Sequence, residues 1–185
     1  MRRKTGVAAS RLGQSIFRRS RSGSPKKIRH KRTAEPIPRE WKRLYCALMP
    51  DFVLDARLAA DTLPVGDLAL CTVLLMNDAR FPWLILAPRR AEVSELTDLS
   101  EADAAVLMQE IRLAARVLTE LARPDKLNVG ALGNLVAQLH VHVVGRFCSD
   151  PAWPGPVWGH GARTPYPEHA AAALIERAAS LFSTA

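Results

Sequence analysis

From Gln138 to Val144 the chain reads Gln-Leu-His-Val-His-Val-Val, with polar and apolar side chains alternating almost one for one. A period of two belongs to a strand that lays one face on a core and turns the other away from it. Leu139, Val141 and Val143 then form the core face. Gln138, His140 and His142 share the opposite face, about 7 Å apart from one to the next. With its flanks the predicted strand covers Ala137–Val144. The fold must contain a sheet, and the rest of the chain must supply the partner strands and their cover.

Leu68–Met76 is a β-branched and apolar run of strand length, suited to burial on both sides. Trp83–Ala87 is a second such run, stopped by Pro88. The turn residues Asn77-Asp78-Ala79-Arg80-Phe81-Pro82 leave only a short connection between them, which favours an antiparallel hairpin. Lys126–Val129 is another strand, joined to Ala137–Val144 by the loop Gly130-Ala131-Leu132-Gly133-Asn134. Asp51–Thr62 fits either a short strand and turn or one helical stretch.

Ser100 can cap a helix, with Asp103 as a variant capping-box partner. Leu107, Ile111, Ala114, Leu118 and Leu121 give that helix one apolar face, and Arg123-Pro124 ends it. Pro165–Phe182 reads as an alanine-rich amphipathic helix carrying Leu174, Ile175, Ala178 and Leu181. Strand, strand, long helix, strand, strand, helix is an α+β plan: an antiparallel sheet packed with a long central helix and a C-terminal helix.

Charge divides the 185 residues unevenly. Residues 1–43 hold 15 Lys and Arg against two acidic residues, whereas residues 44–185 hold 11 against 16. The net charge of +8 therefore belongs to the N-terminal part, and the pI does not make the folded part a nucleic-acid-binding domain. Residues 1–43, rich in Arg, Lys and Ser, have too few large apolar side chains to offset the entropy of ordering and are expected to be a disordered extension. Three readings of it compete: an organelle transit peptide, a phosphate-binding or address segment over Lys26–Arg32, and a solvated tail upstream of a natural start at Met49. Residues 44–185 make one domain.

No apolar run approaches the length of a membrane span, and the N-terminus lacks the apolar core of a secretory signal. Cys46, Cys71 and Cys148 are odd in number and widely spaced, which suits a reducing compartment. The protein is expected to be soluble and cytoplasmic.

Two imidazoles on one strand face can flank a single phosphorus centre, one attacking it and the other holding an oxygen. A satisfied pair of core histidines is the plain structural alternative. Zinc is a third reading, since His-x-His supplies two ligands and Cys148, Asp150 or His160 would have to supply another.

Gln138–Val144 resembles the signature of the histidine triad (HIT) family of nucleotide hydrolases and transferases, His-φ-His-φ-His-φ-φ, with glutamine in place of the first histidine. The similarity extends through Lys126–Asn134, and to Leu74–Asp78 with Pro82 and the strand up to Pro88. It covers roughly residues 50–160. The resemblance implies that His140 is the nucleophile and that His142 contacts the phosphate and leaving-group side. It also implies that the Gln138 backbone carbonyl orients the His140 ring, although the Gln138 side chain cannot relay a proton. Asn77 and Asp78 resemble a ribose-contacting position, with a plain hairpin turn as the equal alternative. Asn128, Gly133 and Asn134 are further candidate substrate contacts, and the Gly133-Asn134 amides can hold phosphate oxygens. That is preferred to a cation clamp, because Arg146 is the only basic residue near the motif in sequence. A histidine that many relatives carry after the conserved proline is replaced by Trp83. Trp153 and Trp158 either wall the site or stack a base, or they pack their loop onto the body.

The implied reaction is attack of His140 on the α-phosphate of a dinucleoside polyphosphate, such as a diadenosine polyphosphate, or of a nucleoside phosphoramidate. A nucleotidyl-histidine follows, which water hydrolyses. No cofactor and no protein-bound metal are implied, though phosphate substrates can arrive with Mg²⁺. The nucleotide is the expected partner, with a homodimer, no membrane, and no nucleic acid except through the basic tail. The alternatives are a catalytically weakened nucleotide-binding or regulatory protein and a basic-tailed nucleic-acid binder.

Overall fold

The computed structural model of the protein describes residues 52–184. The extension expected over residues 1–43, Cys46 and Met49 lie outside the described residues. The elements run α1 (Ala56–Asp61), β1 (Thr62–Asp67), β2 (Cys71–Met76), β3 (Trp83–Pro88), a 3₁₀ turn at Leu96–Asp98, α2 (Glu101–Ala122), β4 (Lys126–Ala131), β5 (Val141–Arg146) and α3 (Glu168–Thr184). The strands form one sheet in the order β1-β2-β3-β5-β4, with every neighbouring pair antiparallel. This is the α+β architecture that the patterning predicts. No helix among the described residues is long and apolar enough to cross a membrane.

Alternation along the central strands divides the interior into two layers. Val73, Leu75, Leu84, Leu86, Val141 and Val143 pack against Leu107, Ala114, Val117 and Leu118 of α2. Leu74, Trp83, Ile85 and Val144 face the other way, under Phe81, Ala152 and Val157. Both faces of β2, β3 and β5 are therefore covered, as their nearly continuous apolar runs require.

The sequence pattern left residues 51–62 undecided and missed a strand. Residues 56–61 are helical, with the Asp55 carboxylate accepting the Arg57 N–H as the N-cap. Thr62–Asp67 then pairs with β2 at the sheet edge, with its register shifted between Pro64 and Gly66. Proline and glycine hide such a strand from propensity, and both are tolerated where one side of the ladder is open.

Ser100 caps α2 by accepting the Asp103 N–H at 3.1 Å. Asp103 does not complete a capping box. Its carboxylate pairs with both arms of the Arg90 guanidinium, at 2.7 and 2.5 Å. On the apolar face of α2 the pattern also passed over Glu110, which is buried and accepts the backbone N–H groups of Leu70 at 2.7 Å and Cys71 at 2.9 Å. This carboxylate ties α2 to the start of β2. Replacing Glu110 with alanine would strand two buried amides and is expected to cost about 3 kcal/mol. Glu110→Gln keeps one acceptor oxygen and should cost less. Urea denaturation of the two variants checks this, and equal losses would contradict it.

Candidate active site

The strand predicted over Ala137–Val144 is shorter and later, with regular pairing only from Val141 to Arg146. This alters the expected face. His142 stands on β5, opposite Ile85 of β3, and Val144 stands opposite Trp83. Trp83 and His142 are thus diagonal neighbours on one sheet face, close enough for large side chains to touch. The Trp83 indole N–H donates to His142 Nδ1 at 3.0 Å.

His140 lies just before the strand, with its Nδ1 2.7 Å from the Gln138 carbonyl oxygen. A carbonyl can only accept, so this nitrogen carries a proton, and in the neutral ring Nε2 is then bare. No other group among the described residues hydrogen-bonds either imidazole. The two ring centroids are 4.8 Å apart at 79°, closer than the 7 Å of an ideal strand. Departure from strand geometry before Val141 brings the rings together.

Both rings line a cavity of about 430 Å³, within the range of small-molecule sites. His140 and His142 are each only 6% exposed. Burial, and then the neighbouring His140, hold the His142 pKa down to about 3, so His142 is neutral over the whole physiological range.

The Gln138 side chain turns away from this cavity. Its Oε1 accepts the Asp55 N–H and its Nε2 donates to the Val53 carbonyl, both at 2.9 Å. A primary amide offers one donor and one acceptor side by side, and so bonds the backbone just ahead of α1 as another strand would. Asn128 is not brought to the cavity either, since its Oδ1 accepts from Arg146 at 2.8 Å. Asn77 Oδ1 accepts the Tyr166 N–H, and this residue too stays outside. Asp78 does line the cavity, but its carboxylate is occupied by the Arg80 guanidinium, at 2.6 and 2.8 Å, and by the backbone N–H groups of Arg80 and Thr164. Burial opposes its charge, yet these donors hold the carboxyl below its ordinary range. Asn134 lines the cavity beside His140, whereas Gly133 lies on a narrow neighbouring crevice that His140 also borders.

Arg146 is not a cavity residue. It is buried in a salt bridge to Asp150 at 2.7 Å, and its guanidinium lies 5.7 Å from the Trp153 ring centroid. The cations that do line the cavity are Arg57, Arg80 and Arg163, which proximity along the sequence did not reveal. Arg80 pairs with Asp78, Arg163 with Asp61, and Arg57 donates to the Leu135 carbonyl. The Asp61 and Asp78 carboxylates that balance Arg163 and Arg80 line the same cavity, so Arg57 leaves its border with a net positive charge, which suits an anionic ligand.

Trp158 walls the cavity, with its ring centroid 5.7 Å from that of His142 and 6.1 Å from that of Trp83. Room for it comes from Gly130, opposite His142 on β4, where a Cβ would approach Trp158 Cη2 to 3.2 Å. Trp153 instead stacks on Arg146. Among the described residues no three His, Cys, Asp or Glu side chains converge as metal ligands.

A family model for the HIT domain matches residues 57–148. A solved histidine triad (HIT) protein from Sinorhizobium meliloti is 48% identical, with a TM-score of 0.70 over 71% of this chain and 98% of that one. A histidine triad protein from Marinobacter aquaeolei is 43% identical, with a TM-score of 0.71 over 73% of this chain and 98% of that one. A curated relative from Mycobacterium tuberculosis, named AP-4-A phosphorylase, is 42% identical over 73 residues. The chain spans only 37% of the length of that relative, and the match covers 36% of this chain.

Proposed function

The chain belongs to the histidine triad (HIT) family, and we propose that it transfers a nucleotidyl group from a dinucleoside polyphosphate or nucleoside phosphoramidate through His140. The observation that carries this reading is the His140 ring at the cavity with Nδ1 held 2.7 Å from the Gln138 carbonyl oxygen, the arrangement that makes Nε2 the attacking nitrogen of the neutral ring. Nε2 attacks the α-phosphorus, the new P–N bond forms, and the bond to the leaving group breaks; a nucleoside polyphosphate departs as its anion, and an amine departs after taking a proton from solvent. The resulting imidazole is cationic, with its Nδ1–H already directed at the Gln138 oxygen in a charge-assisted hydrogen bond. Water or inorganic phosphate then attacks phosphorus, the P–N bond to His140 breaks, the proton of an attacking water passes to solvent, and His140 returns to its starting form. The relative's name, a phosphorylase, supports including phosphate as an acceptor.

In this reading Gln138 stands at the first triad position and serves through its main chain alone. Because its side chain is engaged with residues 53–55, loss of a proton relay there favours a second reading, a nucleotide-binding or regulatory protein that turns over weakly. The two separate in a panel of mononucleotides, dinucleoside polyphosphates and phosphoramidates, assayed with and without inorganic phosphate. Turnover predicts AMP release, or ADP when phosphate is the acceptor. Saturable binding with no product at any substrate would replace the enzymatic reading with the second.

A further inference from the structure

We propose that Trp83 is a positioning residue for this reaction: its indole N–H locks the His142 ring as the tautomer that offers Nε2–H to the bound phosphoryl group. The inference rests on the nucleotidyl-transfer reading for its consequence, but the lock itself is a property of the free protein. An indole nitrogen donates and never accepts, and it does not titrate near neutral pH. Its bond to His142 Nδ1 therefore admits only one neutral tautomer, with the proton on Nε2. The Trp83 indole N–H, on a residue 4% exposed, is satisfied by this bond, whereas the buried Trp158 indole N–H beside it has no partner among the described residues.

The two imidazoles are consequently set in opposite senses. His140 has its Nδ1–H on the Gln138 carbonyl, so its neutral ring presents a lone pair at Nε2; His142 is protonated on Nε2 and presents a donor. One can attack phosphorus while the other holds an oxygen. Were His142 free to exchange tautomers, part of the population would set its Nε2 lone pair against a phosphoryl oxygen. Three rings enclose His142 and keep it from reorienting: Trp83 at 5.4 Å, Trp158 at 5.7 Å and His140 at 4.8 Å between centroids. His140 is the titratable neighbour of this ring. Of the other ionisable groups around the cavity, Asp78 is paired with Arg80 and Asp61 with Arg163, while Arg57 and His160 line the same space. The low His142 pKa agrees with an enclosure that admits only the neutral form.

Long-range ¹⁵N–¹H spectra of the histidine rings test the lock directly. The expected result is a His142 that stays neutral and Nε2-protonated from pH 7 to pH 5, with a scalar coupling across the hydrogen bond to the Trp83 indole nitrogen. Trp83→Phe keeps an aromatic ring at the position but removes the donor. It should mix the His142 tautomers and move the acidic limb of the rate profile to higher pH. It should also lower kcat about tenfold, the order expected for one hydrogen bond, with little change in KM. A His142 protonated on Nδ1 in the parent would overturn the proposal. So would a Trp83→Phe variant with the parent's tautomer and pH profile. If that variant does not fold, the parent spectrum decides. If the protein turns over no nucleotide, the spectrum still tests the lock while the enzymatic reading fails separately.

Discussion

Replacing His140 with alanine is expected to abolish nucleotide turnover while leaving the fold intact. Removing the nucleophile leaves only positioning and binding, a loss of at least about a thousandfold in kcat. The fold should tolerate the change because the ring borders a cavity that water can enter, and among the described residues the one hydrogen-bond partner it leaves is the Gln138 carbonyl. His142→Ala should be less severe, since it removes an oxygen-holding donor and not the attacking atom. A His140→Ala protein with the parent's circular dichroism and undiminished product release would remove His140 from the mechanism.

The second large effect is on stability. Arg146 and Asp150 are 1% and 3% exposed at their side chains and form a two-point ion pair at 2.7 and 3.0 Å. The same carboxylate accepts the Phe147 and Ala152 N–H groups, and the third arm of the guanidinium reaches Asn128. Removing one partner leaves a buried charge unmatched. Arg146→Ala is expected to cost about 3–5 kcal/mol, read by urea or thermal denaturation. A loss below about 1 kcal/mol would mean the pair behaves as a surface salt bridge. The Arg146 guanidinium, against some desolvation, holds the Asp150 carboxyl below its ordinary range. Its folded-state pKa is depressed, so the contribution is whole at neutral pH and is lost as pH falls through the carboxylate range. The bend that this pair closes leads into Ala152, Val157 and Trp158, so the stability of the loop and the wall of the cavity depend on the same contact.

Much of this fold is legible in the sequence because burial on both sheet faces writes itself as continuous apolar runs, as in residues 71–76 and 83–88. The long helix is legible for a related reason: Ser100 caps it, and its apolar residues keep helical spacing. Strand β1 is not, because Pro64 and Gly66 carry no strand propensity and only the pairing with β2 makes them extended. The His140–His142 pair is legible as chemistry, but its geometry is not. Alternation alone predicts wider spacing and a coplanar Gln138, whereas a hydrogen-bonded clasp to residues 53–55 pulls that side chain off the face. The cationic border is illegible for a different reason. Arg57, Arg80 and Arg163 lie far apart in the chain and meet only after folding, while Arg146, close to the motif, is spent on Asp150. Asn128 looks like a free amide in the sequence and proves to be a ligand of that same arginine.

The stereochemical course at phosphorus is the most direct test of nucleophilic attack by His140. A dinucleoside polyphosphate carrying a chiral phosphorothioate at the α-position would be turned over in ¹⁸O-labelled water and the configuration of the product determined. Attack by His140 followed by attack of water makes two inversions, so the configuration should be retained. Net inversion would mean that water strikes phosphorus directly, and His140 would lose its place as the nucleophile.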